Sequence, residues 1–112
     1  MRLPFLAVAS LVVACAGGEV KWSITEPEQL EPSVQSLAGC IGDTDCAVVI
    51  DLRCHAFAIN KKQTAAWYSR PISEDERKGQ PKCMPPHGET LYTPRCGSRG
   101  LCVAIPPEAL DR

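Results

Sequence analysis

Apolar positions divide this chain of 112 residues into three stretches of different character. Residues 3–14, LPFLAVASLVVA, carry no charge at all. Residues 16–38 mix glycine, proline and acidic positions with few large apolar side chains. From residue 40 onward, short apolar runs alternate with clusters of turn formers, the layout of a small domain built from short elements.

In the third stretch, CIGDTDC (40–46) reads as a turn, because Gly42, Asp43 and Asp45 all favour a local bend. CAVVIDL (46–52) is a β-branched run between turn formers and predicts a buried strand. AFAIN (56–60) predicts a second strand, paired with the first as a hairpin. Asn60 and Gln63 have capping-box spacing, so the main helix starts there, runs over KKQTAAWYSR and stops at Arg70 before Pro71. Its inward face is Ala65, Ala66 and Trp67 or Tyr68. Ser73, Glu76 and Gly79 frame one or two further helical turns, and QPKCMPPHGE (80–89) is loop. The last part predicts a strand at Thr90–Thr93, a bend over Gly97–Gly100 and a strand at Leu101–Ile105, halted by Pro106 and Pro107. Upstream, Thr25 to Glu28 has capping-box spacing, and Pro32 starts a second short turn ending at Gly39. The sum is a small α+β domain: a short antiparallel sheet of two hairpins with one main helix.

The uncharged N-terminal run follows Arg2 and ends at Gly17, Gly18 and Glu19. A basic start and about a dozen apolar residues are the layout of a secretory signal. The run is shorter than the roughly 20 residues needed to span a bilayer core. VVAC (12–15) resembles a bacterial lipobox, with Val12 where leucine is more usual. The resemblance implies cleavage before Cys15, a diacylglyceryl thioether on Cys15 and attachment to a membrane. It assigns 1–14 to a signal peptide, 15–39 to the lipidated cysteine and a flexible tether, 40–107 to a six-cysteine domain and 108–112 to a tail. The alternative is cleavage after Ala16, because Ala14-Cys15-Ala16 also fits the small-x-small pattern, and the product is then freely secreted. For the anchored form, Ala16 in place of aspartate favours, by the same resemblance, an outer membrane over the periplasmic face of another.

Cysteine arithmetic agrees with export. The chain has seven cysteines, and setting Cys15 aside leaves Cys40, Cys46, Cys54, Cys83, Cys96 and Cys102. An even set in a short exported chain is a disulfide framework, with fifteen pairings open. C-x5-C occurs twice, at Cys40/Cys46 and at Cys96/Cys102. Without Arg2 the side chains number 11 basic and 13 acidic, a formal net charge of −2, and the basic residues form only isolated pairs such as Lys61-Lys62. Nucleic-acid binders carry a basic stripe, so nucleic acid is not an expected partner.

Candidate chemistry is sparse. Zinc sites space paired cysteines by two to four residues, which neither C-x5-C pair does. Haem attachment needs C-x-x-C-H, and Asp51 stands where the first cysteine of Cys54-His55 would be. Redox catalysis by C-x-x-C has no match, and an even framework leaves Cys54 no free thiol to pair with His55 or His87. The expectation is no cofactor, no metal and no enzymatic activity, and His55 reads as a hairpin-edge residue. One loop stands apart: PRCGSRGLC holds Arg95 and Arg99 near cysteines, and a constrained loop with an exposed arginine suits a serine-protease inhibitor acting through Arg95–Leu101.

The cysteine pattern, with the DTDC lead-in, HAFAIN and the closing Cys102-Val103, resembles small cysteine-rich bacterial exported proteins over residues 40–103. This resemblance implies export and disulfides and brings no catalytic residues. The expected function is therefore an exported, lipid-anchored envelope protein acting as a binding or structural interaction module, with the inhibitor as alternative.

Overall fold

A computed structural model describes residues 18–110. The two expected hairpins and the main helix are present. Strand β2 (Cys46–Ile50) pairs antiparallel with β3 (His55–Asn60), with Cys46 opposite Asn60 and Ile50 opposite Ala56. Strand β4 (Thr93–Cys96) pairs antiparallel with β5 (Cys102–Ile105). The hairpins form two separate sheets, and a two-residue strand β1 (Ser23–Ile24) joins the first, parallel to β3. Helical turns fill the rest: α1 (Pro32–Gln35), α2 (Thr64–Tyr68), α3 (Glu74–Lys78), α4 (Gly88–Leu91) and α5 (Pro107–Leu110).

Local chemistry explains the elements that follow the expected pattern. The Asn60 side chain accepts from Lys62 N at 3.0 Å, capping a 3-10 turn (Lys61–Gln63) that runs into α2. The Ser73 hydroxyl accepts from Glu76 N at 3.2 Å and caps α3. The β2–β3 connection is the four residues Asp51 to Cys54, closed by Asp51 N donating to His55 O at 3.0 Å, and its last residue, Cys54, has φ +67°. Glycine would take this conformation without strain, but the position must supply a sulfur to Cys83.

Four expectations are corrected. Residues 20–38 are not a flexible tether in this structure: Ile24, Leu30, Val34 and Leu37 pack on the core, and Ala38 is fully buried. Val20 donates to Lys82 O and Met84 donates to Val20 O, so the segment joins the domain by backbone hydrogen bonds as well. The cap of the first 3-10 turn (Pro27–Gln29) is Glu26, whose N–H donates to Gln29 Oε1 at 2.9 Å, in place of Thr25. Thr90 and Leu91 lie in α4, where the Thr90 hydroxyl donates to His87 O, so β4 begins at Thr93. Ala65 and Ala66 are exposed and Trp67 alone of that helix is buried: its indole packs in the core, whereas Tyr68 reaches β2 only with its hydroxyl and stays exposed.

The core is Ala38, Cys46, Val49, Phe57, Ala58, Ile59, Trp67, Cys102 and Ala104, with the Phe57 and Trp67 rings edge-to-face at 4.9 Å. Three disulfides pair the six cysteines: Cys40–Cys96, Cys46–Cys102 and Cys54–Cys83. The first two run side by side and link the start of β2 to the β4–β5 hairpin, so each C-x5-C segment bonds to the other. Strand directions give the first sheet two distinct ends. Ser23 opposite His55 places the incoming N-terminal segment at the Asp51–His55 end. Cys46 opposite Asn60 places Ile41, Lys61 and Lys62 beyond the other end.

Candidate functional site

The site is set by Asp51 of the β2–β3 loop, His55 at the start of β3 and one helix end. Asp51 opens the β2–β3 loop, and its Oδ1 accepts from Arg53 N at 2.8 Å and from His55 N at 3.0 Å. A short polar side chain that bonds the backbone two residues on is an Asx turn, which explains an aspartate here. The second oxygen, Oδ2, lies 2.9 Å from His55 Nδ1. An ionised Asp51 only accepts, so Nδ1 carries the proton in this contact. In the neutral ring, Nε2 is then left with its lone pair.

Across the sheet, Trp67 of α2 donates from Nε1 to Ile50 O at 2.9 Å. The Arg70 guanidinium lies 3.6 Å from the Trp67 ring centroid, with Nη1 donating to Trp67 O and Nη2 reaching Glu76 Oε2 at 3.4 Å. A stacked, twice-bonded guanidinium is held in one geometry, which a lysine at this position would not reproduce. Between these groups and α1 lies a cleft of about 530 Å³. Phe57, Trp67, Leu30 and Val34 line one part of it, and polar side chains line the rest: Thr25, Gln29, Glu31 and Ser33, with Asp51, His55 and the Arg70–Glu76 pair. That volume is within the usual range for small-ligand sites, and the lining holds more polar than apolar side chains, unlike the mostly apolar walls usual there. The cleft can hold an apolar body and offer both an acceptor and a cation to it.

A second cleft, of about 510 Å³, also reaches Asp51 and is lined by Trp22, Ile50, Leu52, Met84 and His87. His87 Nδ1 lies 2.8 Å from Glu89 Oε1, and the other carboxylate oxygen of Glu89 accepts from the Tyr68 hydroxyl. Burial, followed by this hydrogen bond to Glu89, holds the Tyr68 phenol protonated well above its ordinary range.

The residues singled out in the sequence lie as follows. All six framework cysteines are in disulfides. The sulfurs of Cys40, Cys46 and Cys102 lie within 4.8 Å of one another, a cluster produced by two adjacent disulfides and therefore without thiolates to offer a metal. Arg95 lies in β4 opposite Val103. Arg99 sits in a tight turn closed by Gly100 N donating to Gly97 O, and its Nη1 is 3.3 Å from Glu28 Oε2. Cys15 and its lipobox-like run lie outside the described residues. The Asp51–His55 pair and the Arg70–Trp67 stack were not expected as a site. Their signals are an aspartate four residues before a histidine across a turn, and Trp and Arg spaced i, i+3 on a helix end. The chain matches no protein-family model, no curated protein and no solved structure.

Proposed function

We propose that the chain is an exported envelope protein, anchored by a lipid on Cys15, whose disulfide-framed domain binds a partner or ligand. The carrying observation is the pairing of all six other cysteines among themselves, which leaves Cys15 outside the frame for another purpose. Disulfides are compatible with an extracellular or envelope location, where oxidising conditions preserve them. Among the described residues no helix is long and apolar enough to cross a membrane. The Asp51–Arg70 cleft is the proposed ligand face.

Intact mass of the membrane-extracted protein, beside a Cys15→Ala variant, tests the anchor. The expected product starts at Cys15, is heavier by a diacylglyceryl group and lighter by the six hydrogens of three disulfides. A soluble chain starting at Gly17 overturns the anchor. The alternative, a serine-protease inhibitor acting through Arg95–Leu101, is supported by the largely exposed Arg99 side chain on a disulfide-flanked turn. Trypsin inhibition with Arg99→Ala as control decides it, and no inhibition at micromolar protein removes it.

A further inference from the structure

Residues 71–81 form a strap between the two hairpins, and little holds it down. Its helix α3 (Glu74–Lys78) buries no residue and depends on the Ser73 cap. Among the described residues, the strap's backbone hydrogen bonds stay within it: Arg77 N donates to Ser73 O, Gly79 N to Asp75 O and Gln80 N to Arg77 O. Backbone ties to the rest of the domain resume at Lys82, whose carbonyl accepts from Val20 N. Residues 77–80 are exposed in succession. A helical turn this short has little stability of its own, so the strap opens at low cost. Exposed segments that open locally are where proteases nick a folded chain.

The strap also carries the pair Arg77-Lys78. Among the described residues, neither side chain forms an ion pair. Other basic residues sit in backbone that is tied or obstructed. Arg70 precedes Pro71, whose ring hinders cleavage of the bond between them. Lys61 and Lys62 follow Asn60, whose N–H donates to Leu37 O and whose Nδ2 donates to Gly39 O. Arg99 lies in the turn closed by Gly100, between two disulfide-bonded cysteines.

The covalent frame is arranged around the strap. Cys40–Cys96, Cys46–Cys102 and Cys54–Cys83 each have one cysteine before it and one after it. A break in the strap therefore yields two chains held together by every disulfide. It interrupts neither sheet, because β1, β2 and β3 lie before it and β4 and β5 after it.

We propose that Arg77-Lys78 is a processing site for an endoprotease that cuts after basic residues, and that the cut frees Arg70 in the cleft. Water adds across the peptide bond: the hydroxyl stays on the new carboxylate, and the nitrogen leaves as a new α-amine. The uncut strap holds Glu76 Oε2 at 3.4 Å from Arg70 Nη2. Once cut, α3 loses its C-terminal hold and Glu76 leaves with it. Arg70 stays stacked on Trp67 and bonded to Trp67 O, so its guanidinium remains in place without its carboxylate. The use of that guanidinium rests on the cleft being the ligand face, whereas the cut and the release of Arg70 do not.

The test begins with the full-length chain purified from its own cells. Without reductant, one species is expected, heavier than the uncut mature chain by one water. With reductant, two are expected, separated after Arg77 or Lys78. Arg77→Gln with Lys78→Gln is expected to be recovered uncut and folded, since both side chains are exposed. Uncut chain from a heterologous host, treated with limiting trypsin, is expected to break first at the same place. That chain carries Arg99→Ala, so that an inhibitory loop cannot block the enzyme. Unfolding of the cut chain, followed by tryptophan fluorescence, is expected to stay cooperative. Phenylglyoxal is expected to modify Arg70 about threefold faster in the cut chain and in uncut Glu76→Gln than in the uncut wild type, the effect of one partly exposed ion pair. An intact chain from the cells, a first break elsewhere such as after Lys62, or a cut chain that unfolds overturns the processing site. Equal Arg70 reactivity in cut and uncut chains overturns the release. A cleft that binds no ligand leaves all these readouts unchanged, so the two readings fail separately.

Discussion

Gly88 is a glycine because Trp22 leaves no room for a side chain. A Cβ there would lie 2.7 Å from Trp22 Cε3 and 2.8 Å from Cδ2. The ring has little freedom to retreat, since its Nε1 donates to Met84 O at 2.7 Å and its other neighbour is His87, at 5.8 Å between ring centroids. Gly88→Ala is expected to destabilise by about 1–3 kcal/mol, the usual cost of overpacking. It should also shift the Trp22 emission. Equilibrium unfolding followed by tryptophan fluorescence checks both, and an unchanged midpoint would mean that Trp22 is not held against this turn. Charge at the residue scale follows equally local rules: the N–H groups of Gly42, then Ile41, hold the Asp45 carboxyl below its ordinary value of 3.8.

At the scale of elements, Tyr68 joins three that are distant in sequence. Its hydroxyl accepts from Ile50 N of β2 at 3.2 Å and donates to Glu89 of α4, while Tyr68 itself closes α2. Tyr68→Phe removes both bonds and is expected to cost on the order of 1 kcal/mol near neutral pH. The pH dependence carries the sign. A phenol whose folded pKa is raised above its ordinary 10.0 contributes stability fully below pH 10 and loses it as pH rises further, because the unfolded chain releases that proton first. Thermal unfolding at a series of alkaline pH values should therefore show a steeper decline for the wild type than for Tyr68→Phe. Parallel declines would remove the Tyr68–Glu89 bond as the cause.

At the scale of the whole molecule, disulfides stand in for the core that a domain this small cannot build. Cys46–Cys102 and Cys40–Cys96 each span 56 residues, the first joining the two sheets and the second tying the segment before β2 to β4, whereas Cys54–Cys83 spans 29 and ties the loop before α4 to the β2–β3 turn. By chain entropy the longer closures contribute about 4 kcal/mol each and the shorter roughly half a kcal/mol less. Cys46 and Cys102 are both buried, whereas in the other pair Cys54 is buried and Cys83 only half-buried, so removing the first pair also opens the larger cavity. Removing that pair as Cys46→Ala with Cys102→Ala is expected to lower the melting temperature more than removing Cys54 and Cys83 in the same way. Calorimetry on both variants checks the order. The reverse order would place the main constraint at the β2–β3 turn.

What the sequence determined by itself was local. The β-branched run at Cys46–Ile50, the strand ending at Asn60, the Asn60 and Ser73 caps and the stop before Pro71 are each encoded within a few residues, where backbone preference and capping act. The even set of six cysteines predicted a disulfide framework for the same reason: it is a matter of counting and spacing. Which cysteines pair was decided only by the tertiary structure, because partners 56 residues apart meet through the packing of two hairpins that no local signal orients. The same holds for residues 20–38, whose sparse apolar side chains read as tether until β1 finds the free side of β3. It holds again for the cleft, since Asp51, Arg70 and Leu30 are each unremarkable in sequence and become a site only when a sheet, a helix end and an N-terminal turn share one face. Local signals set backbone angles and caps, whereas pairing, burial and sites depend on contacts between residues far apart in the chain.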